Sequence, residues 1–118
     1  ILEAVGYIHD IGIRIAEKEL GLYNNNLQEK LGPPAARAML TELEFETDDI
    51  DRICLIIANH HTYTADIAGL DFRILLEADA CVNMYEKNAS ADAVKAMLKN
   101  VFRTETGKYI YKTMFDIV

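Results

Sequence analysis

Apolar residues recur every three or four positions along nearly the whole chain, and this periodicity is the strongest constraint on its fold. No segment alternates apolar and polar residues for long enough to indicate a strand. The 118 residues are enough for one hydrophobic core. We therefore expect an all-α protein: a compact, single-domain bundle of five or six helices without an internal repeat.

The first two helices are separated by a polar segment that runs from Gly21 through Asn24–Asn26. Gly32-Pro33-Pro34 is typical of the start of a helix, where the fixed φ of proline and its missing N–H are harmless. The first helix is expected to bury Leu2, Val5, His9, Ile13 and Ala16, and the second Ala36, Met39, Leu40 and Leu43.

The later helices have recognisable first residues. Thr47 is a suitable N-cap for a third helix that ends at His60-His61, and Ser90 for a fifth that runs to about Val101. A sixth helix is expected between Thr104 and Phe115. The third helix should bury Ile50, Ile53, Cys54 and Ile57, and the fourth Leu75, Leu76, Asp79 and Val82.

The net charge of −7 is concentrated in residues 41–51, whereas residues 95–112 are mostly basic. A pI near 4.8 argues against a nucleic-acid polymer as partner, and it also argues that this chain is not a basic domain that binds membrane surfaces. No apolar run approaches about 18 residues, so no membrane span is expected. Cys54 and Cys81 lie in apolar stripes, which favours reduced core thiols and a cytoplasmic protein as the default.

Three polar residues interrupt stripes that should be apolar. His9 lies between Val5 and Ile13, Asp79 lies between Leu75 and Val82, and His61 follows Ile57 by four residues. A carboxylate in an apolar stripe costs several kcal/mol unless a base or a metal ion compensates it. Because no Lys or Arg shares these stripes, they favour a divalent ion held by imidazole and carboxylate: Mn²⁺, Fe²⁺, Co²⁺, Ni²⁺ or Zn²⁺.

The string Tyr7-Ile8-His9-Asp10-Ile11-Gly12 resembles the His-Asp doublet of the HD-domain metal-dependent phosphohydrolases. Further segments follow in that family's order and extend the resemblance over residues 1–87. These are Gly32-Pro33-Pro34-Ala35-Ala36-Arg37, Ile56-Ile57-Ala58-Asn59-His60-His61-Thr62 and Leu75-Leu76-Glu77-Ala78-Asp79-Ala80. Residues 88–118 would then be C-terminal helices, of which Val101–Lys108 is similar to a tail found in some members.

The resemblance implies that His9, Asp10 and Asp79 are metal ligands. It also implies a further His on a preceding helix, which would fall before Ile1, so we expect the first helix of such a domain to be missing. Two-metal members carry a His where this chain has Gly32-Pro33, which favours one metal or a weak second one. His60 and His61 then either bind a second ion or contact the substrate phosphate or the attacking water.

The implied activity is hydrolysis of a small phosphorylated substrate, a phosphomonoester or a nucleotide, by water that a divalent ion (Mn, Co, Ni, Fe, Mg or Zn) activates. Asp10 or Asp79 would orient that water and take up its proton. Arg14, four residues after Asp10, would stabilise the transferring charge, with Arg103 and Lys108 as further substrate-binding cations. Arg37 could face either phosphate or the acidic run.

Two alternatives stay open from the sequence. One is a regulatory or interaction domain that keeps the HD fold without turnover. The other is a di-iron oxygenase of HD type, although such proteins use the extra His that Gly32-Pro33 displaces. The sequence does not decide between a monomer and a homo-oligomer.

Overall fold

The computed structural model describes residues 1–15, 25–63 and 67–117, and for residues 14, 15 and 25–28 it describes the backbone only. Within these ranges the chain forms seven helices and no strand, which confirms the all-α prediction. The helices are α1 (Leu2–Ile8), α2 (Ile11–Ile15), α3 (Asn25–Glu42), α4 (Thr47–Asn59), α5 (Leu70–Glu86), α6 (Ala91–Val101) and α7 (Glu105–Met114). None of the described helices is both long and apolar enough to cross a bilayer.

The chain divides into two compact units, Ile1–Ala68 and Gly69–Val118, and each is described by itself. In the first unit α3 packs against α2 and α4, and α1 contacts α4. The core of this unit consists of Val5, Ala36, Leu40, Ile50, Ile53, Cys54, Ile56 and Ile57. The buried face predicted for α4 is therefore confirmed, and Ile56 joins it.

Gly32 is the point of closest approach between α3 and its neighbours. A β-carbon there would lie 2.9 Å from Cγ2 of Ile57 and 3.7 Å from the backbone nitrogen of Gly12. Because Ile57 is fully buried and β-branched, its methyl group has little room to move aside. Glycine at this position allows α3 to lie close to both α2 and α4.

In the second unit α5 packs against α6 and α7. Ser90 caps α6 as predicted, since its Oγ accepts from the N–H of Ala93. Thr104 caps α7 in the same way, since its Oγ1 accepts from the N–H of Gly107. The core of this unit consists of Phe72, Leu75, Leu76, Ala80, Cys81, Val94, Val101, Phe102 and Tyr111.

Three helix boundaries differ from the sequence prediction. The first predicted helix is broken into α1 and α2 at His9 and Asp10, because Gly6 and Gly12 on either side weaken a continuous helix. The second predicted helix begins at Asn25 rather than at Gly32, so Pro33 and Pro34 lie inside it. The helix continues through them because the proline ring already holds a helical φ, although the two missing N–H groups leave it with two hydrogen bonds fewer. The α4 helix begins at Thr47, with Glu46 in the capping position.

Three residues predicted to be buried are exposed: Met39, Leu43 and Val82. Leu43 lies just beyond the end of α3, where the helical face no longer continues. The α5 helix carries apolar residues on more than one side, so periodicity alone could not show which stripe is covered. The predicted positions Ala16, Gly21 and Asn24 lie outside the described residues.

Candidate metal centre

The His9-Asp10 doublet occupies the turn between α1 and α2. The N–H of His9 still donates to the carbonyl of Val5 at 2.8 Å, so His9 closes α1. The carbonyl of Asp10 accepts from the N–H of Ile13 at 3.0 Å, so Asp10 begins α2. His9, which interrupts the apolar stripe in the sequence, therefore also lies where the helix itself is interrupted.

The His60-His61 pair directly follows α4, as predicted. His60 has helical dihedral angles in the C-cap position and is fully buried. Its ring meets the ring of His9 edge to face, with centroids 5.3 Å apart, and the ring of His61 tilts over it at 3.9 Å. Two segments about 50 residues apart in the sequence therefore bring three imidazoles together.

The carboxylate of Asp10 lies between two of these imidazoles. Nε2 of His9 is 3.3 Å from Oδ2 of Asp10, and Nε2 of His60 is 3.3 Å from Oδ1. The Asp10 side chain is 46% exposed, whereas that of His60 is buried. The cluster is therefore buried at His60 and open to solvent at Asp10.

The other nitrogen of each ring is tied to the backbone. Nδ1 of His60 lies 2.7 Å from the carbonyl oxygen of Ile57, and Nδ1 of His9 lies 3.0 Å from that of Gly6. A carbonyl oxygen can only accept a hydrogen bond, so each Nδ1 carries a proton. Nε2 is then the ring nitrogen that faces the carboxylate, which is the orientation that carbonyl groups impose on metal-binding histidines.

The Nε2 to carboxylate distances also fit a shared cation. A hydrogen bond between imidazolium and carboxylate is usually about 2.7–2.9 Å long. Donor atoms that share a tetrahedral ion at bond lengths of about 2.0–2.1 Å lie about 3.3–3.4 Å apart. The observed 3.3 Å on both sides of Asp10 is that of a long hydrogen bond or ion pair, and it also leaves the three atoms at a spacing that a shared ion could bridge. Asp10, His60 and His61 each offer a ligand atom within 4.8 Å of the others, so the donor set fits a divalent ion.

Asp79 belongs to the second unit. It lies on α5, is 9% exposed, and accepts a hydrogen bond from Nδ2 of Asn83 at 3.1 Å. Its predicted burial is confirmed. Its predicted role as a ligand of the same ion as His9 and Asp10 stays a prediction.

The predicted substrate-binding cations have different surroundings. Arg14 lies on α2 with its side chain outside the described residues. Arg103 is exposed, and Nζ of Lys108 lies 3.7 Å from a carboxylate oxygen of Glu105. Arg37 binds Asp51 at 2.8 Å, so of its two predicted partners the acidic run is the one it meets.

Two acidic residues that the sequence reasoning did not single out take part in defined contacts. Glu29 on α3 accepts a hydrogen bond from the hydroxyl of Thr62 at 3.1 Å, immediately after the histidine pair. Glu77 on α5 is buried. It could have been noticed from the sequence as a second acid close to Asp79 in an otherwise apolar segment.

In comparisons with protein-family models, with curated proteins and with solved structures, no match to this chain was found. The described residues form helices and no strand, and among them an imidazole and carboxylate cluster that could hold a metal ion. The resemblance to the HD-domain phosphohydrolases rests on the residues that carry it, chiefly His9, Asp10, the His60-His61 pair and Asp79.

Proposed function

We propose that this chain is a metal-dependent phosphohydrolase that acts on a small phosphomonoester or nucleotide. One observation carries the proposal: two histidines, each with Nδ1 bound to a carbonyl, direct Nε2 at opposite oxygens of Asp10. A divalent ion bound among these groups would be held by both kinds of ligand atom, imidazole nitrogen and carboxylate oxygen, that such ions accept in proteins.

His9, Asp10 and Asp79 are the proposed ligands, and we propose His60 and His61 either as further metal ligands or as residues that contact the substrate. When bound, the ion supplies a Lewis acid that activates water and polarises phosphate oxygens. The rings of the buried His60 and the partly exposed His9 hold their orientation because the carbonyls of Ile57 and Gly6 fix each Nδ1.

Asp10 combines a fixed position with access to solvent. Its two oxygens each face an imidazole, and nearly half of the side chain is exposed. A carboxylate in this position can orient a water molecule and accept its proton. The phosphate group of a substrate would reach the cluster from the same open side. Arg14, Arg103 and Lys108 remain the proposed cations for that group.

The test is hydrolysis by the chain loaded in turn with Mn²⁺, Co²⁺ and Ni²⁺, against an aryl phosphate and a panel of nucleotides. We expect metal-dependent release of phosphate from at least one substrate, and loss of that activity in D10N and D79A with helical content retained. D116N, which changes an exposed Asp at the end of the described chain, is the matched control. Metal uptake without any hydrolysis would favour the non-catalytic regulatory domain, and unchanged activity in D10N would contradict the proposal.

A further inference from the structure

Glu77 is a buried carboxylate on α5, and both of its oxygens accept hydrogen bonds from the turn between α6 and α7. It is 3% exposed. Oε2 accepts from the backbone N–H of Arg103 at 3.0 Å and of Thr104 at 3.2 Å, and Oε1 accepts from the hydroxyl of Thr104 at 2.6 Å. A buried carboxylate that accepts from this many donors is held in one position.

These contacts reproduce a capping box with one member supplied from another helix. In the usual box, the N-cap hydroxyl accepts from the N–H of the third helical residue, whose Glu or Gln side chain accepts from the N-cap N–H. In α7, Thr104 makes the first bond to Gly107, but the third residue is glycine and has no side chain. Glu77 of α5 takes its place by accepting from the N–H of Thr104.

Glycine is required at position 107 because the carboxylate of Glu77 occupies the space that a side chain would need there. A β-carbon at Gly107 would lie 2.1 Å from Oε1 of Glu77 and 2.6 Å from Oγ1 of Thr104. Neither atom can move away without losing the contacts just described. The Thr104-Glu105-Thr106-Gly107 sequence is therefore explained by a carboxylate that lies 27 residues earlier than Thr104.

A second bond ties the same two regions together one helical turn earlier on α5. The guanidinium of Arg73 donates to the carbonyl of Val101 at 2.9 Å, and its Nε lies 4.0 Å from Oε2 of Glu77. Two successive turns of α5 are thus fastened to the corner between α6 and α7. A slip of α5 by one residue would move it by about 1.5 Å and rotate it by about 100°, and would break all of these contacts.

We propose that Glu77 is a positioning residue for Asp79, two residues later on the same helix. This inference rests on the proposed function, because Asp79 matters here only as a metal ligand. Metal ligands must be placed within about 0.2 Å of their required positions. The capping contacts of Glu77 hold the register and rotation of α5 against α6 and α7, and so the place of the Asp79 carboxylate within the second unit.

The first test is calorimetric titration of Mn²⁺ into the full chain and its variants, under conditions where circular dichroism shows each to be fully helical. E77A should weaken Mn²⁺ binding by about tenfold or more, in the range typical of residues that orient metal ligands. E77Q, whose amide oxygen can still accept from both backbone N–H groups, should stay within about threefold of wild type. E86Q removes the same charge from an exposed position on α5 and should change nothing.

The second test displaces Glu77 without changing it. G107A should weaken Mn²⁺ binding in parallel with E77A, because the added methyl group occupies the space of the carboxylate. If E77A and G107A lower only the unfolding temperature while Mn²⁺ affinity stays at the wild-type value, Glu77 is purely structural and the inference is wrong. If the wild-type chain takes up no Mn²⁺, the proposed function itself fails, and the positioning role falls with it.

Discussion

Two histidines of the cluster use their two ring nitrogens for different purposes. His60 gives Nδ1 to the carbonyl of Ile57 and His9 gives Nδ1 to the carbonyl of Gly6, so Nε2 is the nitrogen that each offers to Asp10. The tautomer is set by the backbone of the preceding helical turn. A mutation can therefore separate the ligand atom from the hydrogen bond that orients it.

H60N makes this separation. The Asn amide can still donate to the carbonyl of Ile57 while the Nε2 position is lost. We expect H60N to retain its helical content and to bind Mn²⁺ at least about tenfold more weakly than wild type, measured by calorimetric titration. D116N should bind as wild type does. Wild-type affinity in H60N would remove His60 from the set of ligands.

Cys54 and Cys81 illustrate what residue-level reasoning predicts well. Both are buried free thiols, as expected from their places in apolar stripes. Burial raises the pKa of each thiol. The thiol of Cys54 also donates to the carbonyl of Pro33 at 3.5 Å. Both cysteines have the character of packing residues and neither that of a nucleophile.

At the scale of helices, Gly32 controls how closely α3 and α4 approach. G32A places a methyl group 2.9 Å from Cγ2 of Ile57, and overpacking of this kind costs about 1–3 kcal/mol. The gain in helix propensity of up to about 1 kcal/mol offsets only part of it. We expect a lower midpoint of urea unfolding for G32A.

G6A is the matched control for G32A, since nothing lies within 4 Å of a β-carbon at Gly6 on α1. The same substitution should there raise the free energy of unfolding by about 0.5–1 kcal/mol. Equal effects of G32A and G6A would contradict the close approach of α3 and α4.

Tyr111 links α7 to α6, because its buried hydroxyl donates to the carbonyl of Val94 at 2.7 Å. Burial, with a smaller contribution from Cys81, raises the pKa of Tyr111 to about 12. An unfolded Tyr loses its proton near pH 10. The unfolded state therefore gives up this proton first, and the contribution of Tyr111 to stability declines as the pH rises from about 10 to about 12.

Y111F tests this contribution. It should cost about 1 kcal/mol at neutral pH, where Val94 loses its donor, and should flatten the decline of stability between about pH 10 and 12. Y109F changes an exposed phenol on the same helix and should keep the wild-type pH dependence. The measurement is urea unfolding at a series of pH values. An unaltered alkaline decline in Y111F would show that Tyr111 does not carry it.

Helix ends were predictable where the signal is local. Ser90 and Thr104 cap α6 and α7 because a hydroxyl and an N–H three residues later suffice. The predicted start of α3 at Gly32 was wrong. Proline is favoured in the first turn of a helix, but its fixed φ also allows it to lie further inside one, as Pro33 and Pro34 do. Exposure of Val82 was not predictable, because it depends on which neighbours cover α5.

At the scale of the whole molecule, the polar residues that form the imidazole and carboxylate cluster stand out in the sequence, but their arrangement could not be predicted. His9, Asp10, His60 and His61 stand out because they interrupt or end apolar helices. Their convergence depends on how α1, α2 and α4 pack, which no local pattern specifies. The role of Glu77 was missed for the same reason, because its partners lie 26 and 27 residues later in the chain.

The distribution of charge could be read from the sequence, whereas the pairing of individual charges could not. The acidic run of residues 41–51 is mostly exposed, and Asp51 within it pairs with Arg37. The composition gave the net charge of −7 and its concentration in this run. It could not show which of these acids pairs with a base, because that depends on how α3 and α4 pack.

The most direct test of the central claim is calorimetric titration of Mn²⁺ into the wild-type chain and into D10N, with D116N as control. Two imidazole nitrogens aimed at the oxygens of Asp10 predict saturable binding in wild type and D116N, and its loss in D10N with helical content unchanged. Binding of equal affinity and stoichiometry in D10N, or no binding in the wild-type chain, would contradict the account.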